Sequence, residues 1–134
     1  MKNKKMSSSL LKLCWAVTAC LLLSRPGILH GQEMSECQKH YKTDVDTRKV
    51  VVDAIEKVKK GEMWELVQQH ISDAEIWLKK ADERIAKAKD AMDNGKCNAE
   101  VINDLDTGWR WLAEAASAAT RAQIAQAHGY GKKK

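Results

Sequence analysis

The sequence predicts an all-α protein, a three-helix bundle stapled by one disulfide, and three observations carry that expectation. Beyond residue 43 there is no proline and almost no strand-like alternation, while Ala, Glu, Lys, Gln and Leu dominate. Large and small apolar residues then alternate at spacings of three and four from Trp64 to Met92. An Asn94-Gly95 turn signal separates that run from a second one of the same period, with Cys97 just beyond the turn.

The N-terminal segment reads as a secretory signal over residues 1–31. Lys2, Lys4, Lys5 and Lys12 form a basic start, Leu13 to Leu23 an uncharged apolar run, and Arg25-Pro26-Gly27 a break. The run falls short of the roughly 20 apolar residues that span a bilayer. Cleavage is expected after Gly31. A lipobox-like reading of Val17-Thr18-Ala19-Cys20, with Cys20 as a lipid anchor, is disfavoured because the apolar run continues past Cys20 to Leu23.

Removing the signal changes the electrostatics. Five of the 23 basic residues and none of the 18 acidic ones lie in it, which leaves 18 of each and a formal net charge of zero instead of +5. The high precursor pI is therefore no argument for nucleic acid as a partner. Three of the remaining positives are Lys132, Lys133 and Lys134, in a segment 129–134 expected to be a flexible basic tail, the one place where contact with an anionic membrane or polymer would be made.

The rest divides into an N-terminal arm, 32–43, and a helical domain, 44–128. A first helix is expected over about 44–60: Thr43 with Asp46 resembles a capping box, Lys59 and Lys60 suit a C-terminus, and Gly61 stops it. Its apolar residues are Val45, Val51, Val52, Ile55 and Val58, and they do not continue the register of the following run, so the chain turns at Gly61. A helix over about 62–93 follows, with Trp64, Ile71, Leu78, Ile85 and Met92 in one row and Val67, Ala74, Ala81 and Ala88 in the other. The last helix, about 98–127, opens with Asn98 as N-cap and Glu100 in its first turn, and carries rows Val101, Gly108, Ala115, Ala122 and Leu105, Leu112, Ala119, Gln126.

Folding the last two helices back on each other pairs positions whose numbers add to 193: Met92 with Val101, Ala88 with Leu105, Ile85 with Gly108, Ala81 with Leu112, Leu78 with Ala115, and Ile71 with Ala122. Large faces small in nearly every layer, which lets the axes approach closely while the space fills. One flank of this hairpin carries Met63, His70, Trp77 and Arg84 beside Trp111, Ala118 and Ala125, and is the expected bed for the first helix, with Arg84 lying on Trp111. The other flank sets Ile102, Trp109 and Ala116 next to Gln68, Glu75, Asp82 and Lys89 and leaves Trp109 partly exposed.

Cys14 and Cys20 leave with the signal, so Cys37 and Cys97 remain, and an even pair in an exported chain is most simply one disulfide. One straight helix from 44 to 93 would run roughly 75 Å and forbid the bridge. A turn at Gly61, with residues 37–43 extended, permits it.

Little here points to catalysis. Charge pairs such as Glu75 with Lys79 and Glu83 with Lys87 are i, i+4 helix supports, His70 and His128 lie on different helices, and no phosphate loop or Ser/His/Asp order occurs. No cofactor is expected. Met34, Cys37 and His40 form the one group with soft or borderline metal-ligand character, and a small metal-binding protein is accordingly one alternative reading. An envelope-associated protein touching an anionic surface through its lysine tail is another. The reading favoured by the sequence is an exported, non-enzymatic, secreted or periplasmic module that presents a helix face, centred on Trp109 and Ile102, to a protein partner or to itself.

Overall fold

The computed structural model describes residues 25–134, with side chains from Met34 onward; the signal-like segment up to Ser24, including Cys20, lies outside the described residues. Three helices follow one another: α1, Arg25–Lys59; α2, Glu65–Asp93; and α3, Ala99–His128. Residues Met34–Lys134 form one compact unit, and among the described residues no helix is long and apolar enough to cross a membrane.

The hairpin of α2 and α3 forms in the expected register. Met92, Ala88, Val101 and Leu105 share one buried cluster, Ala81, Ile85 and Leu112 a second, and Ile71, Ala74, Ala115 and Ala122 belong to a third. Its tightest layer is Ile85 against Gly108, where a Cβ on the glycine would stand 2.8 Å from Ile85 Cγ1. Only glycine fits.

The turn is built as its residues suggest. Gly95, at φ 75°, follows the last turn of α2, and the N–H groups of Gly95 and Lys96 donate to the carbonyls of Met92 and Ala91, both at 2.9 Å. That is a Schellman closure, which satisfies two carbonyls that a helix end would otherwise leave bare. Across the turn, Asn98 accepts a hydrogen bond from the Val101 N–H at 3.0 Å and caps α3.

The structure departs from the sequence expectation in three places, the first of them α1. It begins well before Thr43, so residues 34–43 are helical and not an extended arm. Thr43 is no cap: its hydroxyl donates to the Lys39 carbonyl one turn back, and Thr47 does the same to Thr43. The disulfide forms all the same, with Cys37 and Cys97 Cα atoms 6.1 Å apart, because Cys97 has been carried across the hairpin turn to meet the helix. Val45, expected in the core, is 41% exposed. Val51, Ile55 and Val58 are buried as expected, and the row through Val51 and Val58 extends back at seven-residue steps to Asp44 and Cys37.

The second departure is the flank on which α1 lies. Arg48 forks onto Asp82 through Nε at 2.6 Å and Nη2 at 3.0 Å, Lys59 pairs with Glu75, and Lys89 lies over the Tyr41 ring at 5.9 Å. Those partners make up the charged row Glu75, Asp82, Lys89, not the aromatic one. The physical reason is on the opposite side, where Trp77 and Trp111 already cover each other at 6.4 Å and Arg84 lies 5.4 Å from the Trp111 ring centre, as expected for that pair. The tryptophans roof the small residues of α3 themselves, and a third helix finds its complement on the charged row. It runs antiparallel to α2 and parallel to α3.

The third is the C-terminus. Residues 129–132, expected to be flexible, fold onto the start of α2: Lys132 Nζ bonds Glu62 at 2.6 Å and lies over the Trp64 ring, while the Trp64 indole N–H donates to the Tyr130 carbonyl at 2.7 Å. Lys133 and Lys134 remain exposed. At the same end, Gln126 Nε2 donates to the Val58 carbonyl at 2.8 Å and to the Glu62 carbonyl at 3.0 Å. A polar residue standing in an apolar row thus closes the end of α1.

Candidate functional site

Two regions carry chemistry beyond packing. One is a polar group at the disulfide end of the bundle. The heptad row of α1 brings Asp44 inward, where it is 2% exposed, and its Oδ2 has no hydrogen-bond partner among the described residues. Gly108 packs beside it, where a Cβ would stand in ordinary van der Waals contact with that oxygen at 3.5 Å. Burial, and secondarily the charge of Asp106, push the Asp44 carboxyl up to about 7. Asp106 in turn lies 3.6 Å from His40 Nδ1, at a half-exposed position. On the opposite flank the buried Asp104 is satisfied, with Arg84 Nη1 at 2.9 Å and Lys87 Nζ at 3.5 Å. The arrangement links proton uptake to stability.

The metal-ligand candidates do not converge. Met34, Cys37 and His40 follow one another at steps of three along α1, and Cys37 is committed to the disulfide, which leaves no thiolate to bind an ion. His40 turns to Asp106. Among the described residues no group of three His, Cys, Asp or Glu side chains is placed to hold a metal.

The second region is the outer face of α3. Trp109 is 48% exposed, whereas Ile102, one heptad earlier, is half-buried against the cluster of Cys37, Met92, Val101 and Leu105. Of the two residues the sequence singled out for a partner surface, Trp109 is the available one. Its row continues as Ala113, Ala116, Thr120, Gln123 and Ala127, at spacings of four and three, beside the core seam and offset from it by one residue. Ile124, 47% exposed, borders it. Between the ends of α1 and α3 the row opens into a groove of about 410 Å³ lined by Lys57, Val58, Gln123, Gln126 and Ala127. Sequence reasoning missed this groove because it needs α1 on the correct flank. A second, smaller groove of about 180 Å³, lined among others by Lys87, Lys96, Glu100 and Asp104, sits at the hairpin turn.

Fold and surface together define a disulfide-stapled bundle of three helices with one aromatic-headed helix face. No protein-family model, curated protein or solved structure matches this chain.

Proposed function

We propose that this chain is an exported, non-enzymatic binding or structural module whose working surface is the outer face of α3. The observation that carries the reading is Trp109: a large aromatic half in solvent at the head of a row of small residues. Tryptophan is over-represented among the residues that anchor protein interfaces, and small neighbours let a second helix approach closely. The disulfide is compatible with an oxidising compartment, and the basic-then-apolar segment 1–31 supplies a route to one. The other readings gain less support, since Cys37 is oxidised and the first lysine of the tail is held by Glu62.

Two measurements test the proposal. Fractionation of the native host, with N-terminal sequencing of the recovered protein, should place the chain outside the cytoplasm and beginning near Gln32; an intact N-terminus on cytoplasmic protein would remove the export half. Affinity capture with the wild-type chain and with Trp109→Ala should differ in the partner retained. Identical capture by the two would remove the assignment of the face.

A further inference from the structure

We propose that the partner of the α3 face is a second copy of this chain: two α3 helices pack antiparallel about a twofold axis, and each copy seats its Trp109 in the groove lined by Lys57, Gln123, Gln126 and Ala127 of the other. The inference rests on the reading of α3 as the docking face and adds the identity of what docks.

Knob and hole lie on the same row of the same helix. Trp109 projects at one end, 48% exposed, and the 410 Å³ groove opens at the other, around Ala127. They are eighteen residues apart, about 27 Å along α3 at 1.5 Å per residue. A twofold axis midway, near residue 118, exchanges them, so that each copy fills the groove of the other with the same pair of contacts. That reciprocity is the requirement of an isologous interface. The pairing that results sets Trp109 on Ala127, Ala113 against Gln123, and Ala116 against Thr120, so the bulky residue meets a small one at both ends. Lys57, in the lining of the groove, offers its ammonium to the face of the incoming indole.

Charge complementarity fixes the same direction. Glu114 and Arg121 are seven residues apart and share one flank of α3. Among the described residues neither Glu114 nor Arg110 has an ion-pair partner, and Arg121 makes only a hydrogen bond to Ser117 Oγ at 3.1 Å. Antiparallel pairing about residue 118 brings each Glu114 beside Arg121 of the other copy, twice per dimer, and lays the Arg110 stem along the exposed Ile124. A parallel pairing would stack like on like. On α1, Val50 is 68% exposed in the row of Thr47 and Ala54, level with the axis, and is covered in the same step.

The test is the mass of the protein in solution, measured by sedimentation equilibrium from micromolar to millimolar on protein purified as its host leaves it. The wild type is expected to be a dimer, with helical circular dichroism unchanged in every variant. Trp109→Ala, and separately Ala127→Arg, which fills the groove, should raise the dimer dissociation constant about tenfold or more. Glu114→Arg should do the same, and Glu114→Arg combined with Arg121→Glu should restore the dimer. A wild type that is monomeric at millimolar concentration overturns the proposal, as does a dimer indifferent to Trp109→Ala or a charge exchange that fails to restore pairing. A monomer that still captures a partner through Trp109 would sink self-pairing and leave the docking face standing. One that captures nothing would sink both.

Discussion

Replacing Asp44 by asparagine should stabilise the protein at alkaline pH. Asp44 is buried, its Oδ2 lacks a partner among the described residues, and its carboxyl is raised from 3.8 to about 7, first by burial and then by Asp106. In the unfolded chain the group titrates near 3.8, so between about pH 4 and 7 the folded state holds the proton and the unfolded state does not. Stability therefore falls as pH rises through that window, and above it the full cost of an ionised, buried carboxylate is present. A shift of about 3 units at about 1.36 kcal/mol each sets that cost at up to about 4 kcal/mol. The other charges near Asp44 do not remove it: Arg48 is committed to Asp82, Lys89 to Asp93, and His40 faces Asp106. Asparagine keeps the shape and cannot ionise. Urea denaturation of both proteins from pH 3.5 to 8.5 should give curves that converge towards the acid end, below the unfolded value of 3.8, and separate progressively up to about pH 7, with the variant the more stable above it. In a domain of this size each kcal/mol moves the melting temperature by about 4–8 °C, so a thermal scan resolves the difference readily. Parallel curves, or a variant less stable than the wild type at pH 8.5, would refute the reasoning.

Three further outcomes follow from the packing. Oxidised protein should show no free thiol at Cys37 or Cys97 in an Ellman assay under denaturing conditions, and Cys37→Ser with Cys97→Ser should cost about 4 kcal/mol on the chain-entropy model for a loop closed over a separation of 60 residues. Gly108→Ala should destabilise by about 1–3 kcal/mol, because its Cβ meets Ile85 Cγ1 at 2.8 Å, and pairing it with Ile85→Ala should recover part of the loss in the same denaturation experiment. Gln126→Ala should cost about 1–2 kcal/mol by stripping both the Val58 and Glu62 carbonyls, and amide hydrogen exchange should quicken in the last turn of α1 before anywhere else.

What could be read from the sequence was whatever depends on neighbours in sequence. The hairpin register follows from the alternation of large and small residues, and the Schellman turn and the Asn98 cap follow from local backbone chemistry. The errors concern α1 and residues 129–132, whose positions are set by particular side-chain partners on other elements and not by a repeat in the sequence. Thr43 suits a cap, but the Cys37, Asp44, Val51, Val58 row makes a continuous seam through it, and the presence of an aspartate in that row hid both the helix start and the buried carboxylate. The same row was the signal that could have revealed them. The choice of flank was less accessible still. An aromatic bed suggested burial, yet Trp77 and Trp111 satisfied each other, and only the spacing of Arg48 and Lys59 against Asp82 and Glu75 favours the other side.

The two fastenings of α1, a covalent one at Cys37 and the Gln126 amide at its other end, also bear on time. Both helix pairs, α1 with α2 and α2 with α3, are joined by short turns and can zip up from contacts close in sequence, whereas the two sulfurs stand 60 residues apart and meet only once all three helices have settled. Oxidation then comes as a late latch. It should leave the refolding rate of the hairpin nearly untouched while slowing the escape of α1, so the bond lends the fold persistence against proteolysis more than speed of assembly.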